Sequence, residues 1–214
     1  EGSAFYFVPE EGARDVQACL SALGVSKTLS GRLRAQQRAC IDADTGELRI
    51  DASIEPVSPH MTSCEPLQVL YEDDFIIAVE KPSGLLVHGD GTHADTLTGR
   101  VEDYLAAGEG VLSPQAVQRL DVETTGVVLF SKAVEFQGLF DAFVADHALM
   151  EKRYLAVVEG GYPKAHDRIN AALARDRHDA RRMRTCAPGQ GQDALTYVER
   201  LAMSPDGIHS LLLV

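Results

Sequence analysis

The stretch Arg119-Leu120-Asp121-Val122-Glu123-Thr124-Thr125-Gly126 runs directly into the apolar Val127-Val128-Leu129-Phe130 and is the most informative in the chain. A basic residue and a carboxylate stand two apart, hydroxyl residues and a glycine follow, and a run with the character of a buried strand comes next. In an extended segment alternate side chains share a side, so Arg119 and Asp121 face the same way. A nearby cation keeps an aspartate ionised even when it is partly buried, as a nucleophile or a base must be. The same residues also suit a turn in which Asp121 and Thr124 only accept hydrogen bonds from backbone amides.

Outward from this segment, short apolar runs bounded by turn residues predict strands at Val69-Leu70-Tyr71, at Phe75 to Val79, at Gly126 to Phe130 and at Tyr154 to Val158. Lys81-Pro82-Ser83-Gly84 reads as a turn between strands. Helical spacing recurs at 96–107 (Leu97, Val101, Tyr104, Leu105) and 133–146 (Phe136, Leu139, Phe140, Phe143). Strands mixed with a few helices, without regular alternation, predict an α+β fold. Residues 12–39 carry two shorter helical patterns and Leu48-Arg49-Ile50 a strand, after which Pro56, Pro59 and Pro66 mark a linker. The expected division is therefore a small N-terminal region over 1–66 and a main domain over 67–214. The final Ser210-Leu211-Leu212-Leu213-Val214 is apolar and uncapped, so the domain is expected to be shortened at its C-terminus.

The 214 residues are 45% hydrophobic and 24% charged, an ordinary globular balance. No apolar run approaches the roughly 18 residues of a membrane span, and Glu1-Gly2-Ser3-Ala4 has no signal-peptide character. These features predict a soluble, cytoplasmic protein, by default a monomer. The four cysteines, Cys19, Cys40, Cys64 and Cys186, form no CxxC pair and read as reduced, mostly buried thiols. His88 and His93, interleaved with Asp90 and Asp95, lack further Cys or His at usable spacing, so no metal is expected. A net charge of −12 argues against nucleic-acid binding through bulk charge, because phosphate affinity comes from clustered Lys and Arg. Yet Lys164, Arg168, Arg175, Arg177, Arg181, Arg182 and Arg184 cluster in one stretch against only Asp167, Asp176 and Asp179. By itself such a run suits either a solvated face or an RNA contact.

Gln118-Arg119-Leu120-Asp121 with Thr124-Thr125-Gly126 resembles the signature of the RluA-type RNA pseudouridine synthases, usually His-Arg-Leu-Asp followed by Thr-Ser-Gly. Leu70 to Asp74, continuing through Val79, Lys81-Pro82 and Gly84 to Val87-His88, resembles the first motif of that family. Glu151 to Gly160 resembles its tyrosine strand. Arg168-Ile169, Ala194 to Val198 and Ser210 to Val214 resemble the strands that lead to its last motif. The likeness spans roughly residues 68–214, while 12–52 weakly resemble the small RNA-binding module that often precedes the catalytic domain. Gln118 and Thr125 depart from the usual His and Ser, and the Gly-Arg-Thr-His-Gln-Ile-Arg-like closing segment is not present.

The resemblance implies a mainly antiparallel mixed sheet with flanking helices, and Asp121 in a loop at the floor of a cleft. It implies conversion of a uridine in structured RNA, ribosomal before transfer RNA, to pseudouridine, with no cofactor and no metal. The uridine is flipped out of its helix. Asp121 is then the essential carboxylate, either nucleophile or base, and Tyr154 stacks on the uracil and assists proton transfer. Arg119, Arg168, Arg181 and Arg182 contact the RNA, and Lys81, Gly84, Thr124 and Gly126 support the site. Two rival classes remain: a non-catalytic RNA-binding protein with the same fold, favoured by Gln118 and the acidic charge, and a carboxylate glycosidase or nucleosidase acting on small molecules, which needs a second carboxylate facing Asp121.

Overall fold

The computed structural model describes residues 4–9, 13, 15–52, 66–89, 95–107, 113–146, 148–179 and 182–214. The linker prolines Pro56 and Pro59, together with Cys64, Asp90, His93 and Arg181, lie outside these residues. The chain divides into two compact units, 1–150 and 151–214.

The first unit opens with β1 (Ala4–Phe7), α1 (Val16–Ala22), α2 (Lys27–Ala35), β2 (Ala39–Ile41) and β3 (Leu48–Asp51). Asp15 and Ser26 cap the two helices, accepting hydrogen bonds from the amides of Ala18 and Leu29. The three strands form an antiparallel sheet in the order β1-β3-β2. There follow β4 (Val69–Glu72), β5 (Ile76–Lys81), α3 (Leu97–Ala106), β6 (Gln115–Ala116) and β7 (Gly126–Ser131). The 3₁₀ turn Val134–Phe136 then leads into α4 (Gln137–Ala145). A second antiparallel sheet runs β4-β5-β7-β6.

Alternation decides which face of this sheet is buried. Ile77 and Val79 of β5 pair with Phe130 and Val128 of β7, and all four are removed from solvent. They join Leu20, Leu33, Leu48 and Ile50 from the N-terminal elements and Leu97 and Val101 of α3 in one core. Phe5, Phe7, Phe75 and Phe136 meet in an aromatic cluster, with Phe5 and Phe136 edge to face at 4.7 Å. Arg38 adds an ion pair of 2.7 Å to Glu135, a residue only 1% exposed.

The second unit is an antiparallel sheet of β8 (Leu155–Glu159), β9 (His166–Arg175), β10 (Met183–Cys186), β11 (Gln192–Met203) and β12 (His209–Leu213). Its order is β10-β9-β11-β12-β8, and a bulge interrupts β11 between Arg200 and Ala202. Ala172, Val198 and Leu212 are buried, whereas Leu155, Val157, Leu195 and Tyr197 are exposed. The architecture is α+β with antiparallel sheets, as expected. The expectation for the cysteines is corrected: of the three described, Cys19 is buried, Cys186 is half-buried and Cys40 is exposed, because it falls on the outward side of the short strand β2. Among the described residues, no helix is long and apolar enough to cross a membrane.

Candidate active site

The loop that carries Asp121 exists because β6 stays beside β7 for only two residue pairs, Gln115 with Ser131 and Ala116 with Phe130. The amide of Val117 donates to the Leu129 carbonyl at 2.8 Å, and the chain then swings out before rejoining the sheet at Gly126. Leu120 packs against the core while Arg119 and Asp121 on either side are exposed, the alternation expected of an extended approach. A turn closes beyond, with the Thr124 amide donating to the Asp121 carbonyl at 3.0 Å. The turn is thus closed by backbone groups, while among the described residues the Asp121 carboxylate accepts no hydrogen bond from a backbone amide and is exposed.

The neighbouring turn after β5 holds this loop in place. Lys81 sits at the next core-facing position after Ile77 and Val79 and is 0% exposed. Its ammonium has three protons and donates to three carbonyls: Pro82 at 2.9 Å, Leu85 at 2.7 Å and Val122 at 2.8 Å. Burial pushes its pKa down, and the charges of Glu123 and Asp121 oppose that shift. The amide of Gly84 donates to the same Val122 carbonyl at 2.9 Å. Ser83 Oγ reaches both the carbonyl and the carboxylate of Glu123 at 3.1 Å. Gly84 has φ of 82° and Gly126 has φ of 125°, backbone conformations that a side chain would strain. Lys81, Gly84, Thr124 and Gly126 therefore converge on the backbone around Asp121.

Two residues with other expectations also belong here. Gln118 lays its side-chain amide along β7, with Nε2 donating to the Val127 carbonyl and Oε1 accepting from the Leu129 amide, each at 3.4 Å. His88 follows the buried Val87 and lies 3.1 Å from the Thr98 hydroxyl through Nδ1. That hydroxyl donates its single proton to the Val87 carbonyl at 2.7 Å, so Nδ1 must be the donor to it, leaving Nε2 with the free lone pair. Desolvation and the charge of Arg119 lower the pKa of His88, and Glu102 opposes them. In the sequence His88 ended the segment resembling the first family motif and stood as an unconvincing metal ligand; its electrostatic link to Arg119 is a product of tertiary structure. Among the described residues, no group of three or more His, Cys, Asp or Glu is placed to hold a metal ion.

Tyr154, Arg168 and Arg182 belong to the second unit. Tyr154 stands just ahead of β8, is exposed, and exchanges two backbone hydrogen bonds with Val214, at 2.7 and 2.8 Å. Arg168 lies exposed on β9 opposite Tyr197. Arg182 is exposed beside Asp179 at 3.4 Å, where β9 turns into β10. Arg175, Arg177 and Arg184 share this hairpin, whose strands pair Met183 with Arg175 and Arg184 with Ala174.

The turn Lys81-Pro82-Ser83-Gly84 is thus tied to the exposed loop of Arg119-Leu120-Asp121. The chain belongs to the RNA pseudouridylate synthase family, whose model matches residues 75–214. Ribosomal large subunit pseudouridine synthase D of Zymomonas mobilis is 32% identical over 138 residues, 62% of this chain and 43% of that protein. Dual-specificity RNA pseudouridine synthase RluA of Vibrio cholerae is 33% identical over 132 residues, 61% of this chain and 51% of that protein. The chain thus spans about half the length of these curated relatives, and the likeness to them is of the RluA type. The solved structure of human RNA pseudouridylate synthase domain containing 4 shares the fold, with a TM-score of 0.53 at 19% identity over 68% of this chain and 57% of that one.

Proposed function

We propose that the protein isomerises uridines in structured RNA to pseudouridine, with Asp121 as the essential carboxylate and ribosomal RNA as the substrate. The observation that carries this reading is the exposed Asp121 carboxylate, which accepts no hydrogen bond among the described residues, on a backbone held by Lys81 and Gly84, in a chain of this family. A loop fixed at its backbone and free at its functional group suits a reagent that must meet substrate at a set position. The reaction breaks the bond from C1′ to N1 and forms one from C1′ to C5. N1 gains a proton and C5 releases one, so the isomerisation balances without cofactor or metal.

A uridine in a helix must first be extruded, at a cost of about a few kcal/mol that protein contacts offset. Arg119 would fill the vacated space and touch phosphate, and Tyr154 would stack on the uracil. Arg168, Arg182 and, outside the described residues, Arg181 would grip the backbone as an island of positive charge on an acidic protein. In this reading residues 67–214 carry the chemistry and 1–66 form an RNA-contacting module, the protein acting as a cytoplasmic monomer.

Release of tritium from RNA labelled at uridine C5 tests the reading in the full-length protein. Release from ribosomal RNA that disappears in Asp121→Ala, with RNA binding retained, is the expected result. Binding without release from ribosomal or transfer RNA overturns it and leaves the non-catalytic RNA-binding protein, which the acidic charge and Gln118 favour. Free uracil released from nucleosides instead marks a nucleosidase.

A further inference from the structure

Gln118 occupies the point where the chain parts from the sheet. Up to Val117 the exposed edge of β7 is satisfied by backbone, ending with the bond from the Val117 amide to the Leu129 carbonyl. In an antiparallel strand the amide and carbonyl of one residue point to the same edge, as do those of the residue two positions away. The next two groups on this edge of β7 are therefore the Leu129 amide and the Val127 carbonyl. Both are met by the Gln118 side chain, its oxygen accepting from Leu129 and its nitrogen donating to Val127. The carboxamide thus adds one further rung to the ladder after the backbone of β6 has left it.

We propose that Gln118 is a positioning residue for Asp121: its carboxamide substitutes for a missing strand residue on β7 and so fixes where the Arg119-Leu120-Asp121 loop leaves the sheet. The loop is then pinned on both sides, upstream by Gln118 on β7 and downstream by Lys81 and Gly84 on the Val122 carbonyl. Both halves of the carboxamide are needed, because one faces a carbonyl and the other an amide. A carboxylate in its place would set an acceptor against the Val127 carbonyl, and an aliphatic chain would offer neither bond. A neutral imidazole, like a carboxamide, carries a donor and an acceptor separated by one carbon. On this account the exchange of the family's usual His for Gln118 keeps the support of the loop rather than disabling the site.

The inference rests on the proposed synthase activity, and the experiment separates the two. Tritium release from ribosomal RNA is measured for the full-length wild type and for Gln118→Leu, Gln118→Glu and Gln118→His, at a temperature where circular dichroism shows each folded. Hydrogen exchange of the Leu129 amide is followed in parallel. Gln118→Leu and Gln118→Glu are expected to lower kcat by about 10- to 100-fold with KM little changed, the signature of a misplaced reacting group. Gln118→His is expected to restore kcat to within about threefold of wild type, a difference under roughly 1 kcal/mol. Leu129 should exchange faster in the Leu and Glu variants and be protected again in the His variant. Wild-type kcat in all three, a rise in KM with kcat unchanged, or a loss that only follows the folded fraction would each overturn the role of Gln118. Absence of release by the wild type would instead count against the synthase reading itself.

Discussion

The Lys81 ammonium donates to the Val122 carbonyl at 2.8 Å, tying the end of one core strand to the residue that follows Asp121. The same ammonium holds the carbonyls of Pro82 and Leu85. Lys81→Met keeps the length of the stem and removes all three donors. Losing the three bonds, with the Val122 carbonyl keeping only its bond from the Gly84 amide, should cost about 2–4 kcal/mol in urea unfolding, and tritium release should fall with it. A cost below about 0.5 kcal/mol, typical of surface substitutions, would show that the three bonds hold nothing.

Arg38 ties the N-terminal elements to the 3₁₀ turn after β7 through Glu135, and it also donates to the Asp51 carbonyl at 2.6 Å. Glu135 is buried while Arg38 is half-buried, so removing Arg38 takes a close cation from a carboxylate in the core. Arg38→Met should therefore destabilise the first unit by about 3 kcal/mol. The double variant with Glu135→Leu should recover part of that loss, because the buried carboxylate that lost Arg38 is gone. Equal costs for the single and double variants would contradict the pairing.

Two glycines make opposite predictions. Gly31 lies inside α2 with open space where a Cβ would go, so Gly31→Ala should raise stability by about 0.5–1 kcal/mol through the unfolded chain's lost freedom. At Gly138, near the start of α4, a Cβ would run into the backbone carbonyl oxygen of Gly24. Gly138→Ala should cost about 1–3 kcal/mol, as other overpacked sites do. Thermal unfolding of both variants checks the contrast.

His88 should titrate below the ordinary imidazole value of about 6.5, because desolvation and the Arg119 guanidinium both disfavour its charged form while Glu102 favours it. In nuclear magnetic resonance, Arg119→Ala should move that titration upward. Because the folded pKa is the lower one, the unfolded chain binds the proton first as pH falls. The stability contributed by neutral His88 is thus complete above the ordinary imidazole range and lost as pH drops through the folded value. A titration unmoved by Arg119→Ala would separate the two residues.

Much of the fold was legible in the chain. The runs at 69–71, 75–79, 126–130 and 154–158 became β4, β5, β7 and β8 within a residue or two, and the helical spacing at 96–107 became α3. Short elements were not legible: β2 has three residues and β6 two, too few for any periodicity to register. The burial of Lys81 was half visible, since it continues the alternation of Ile77 and Val79, yet a lysine ordinarily signals exposure. The Asp121 loop was marked by its motif. What held it was not, because the Val122 carbonyl is a backbone group that no residue code identifies. Likewise, the bond from Gln118 to β7 depends on where β6 ends.

The burial of Lys81 gives it a chemical silence that lysines such as Lys27 and Lys164, on exposed parts of the chain, do not share. Reductive methylation needs a free amine lone pair, and the Lys81 nitrogen offers none while its three protons are committed and water is excluded. The rate at which this one amine becomes methylated is therefore a clock for the opening of the Asp121 loop, readable by mass spectrometry without RNA, label or turnover.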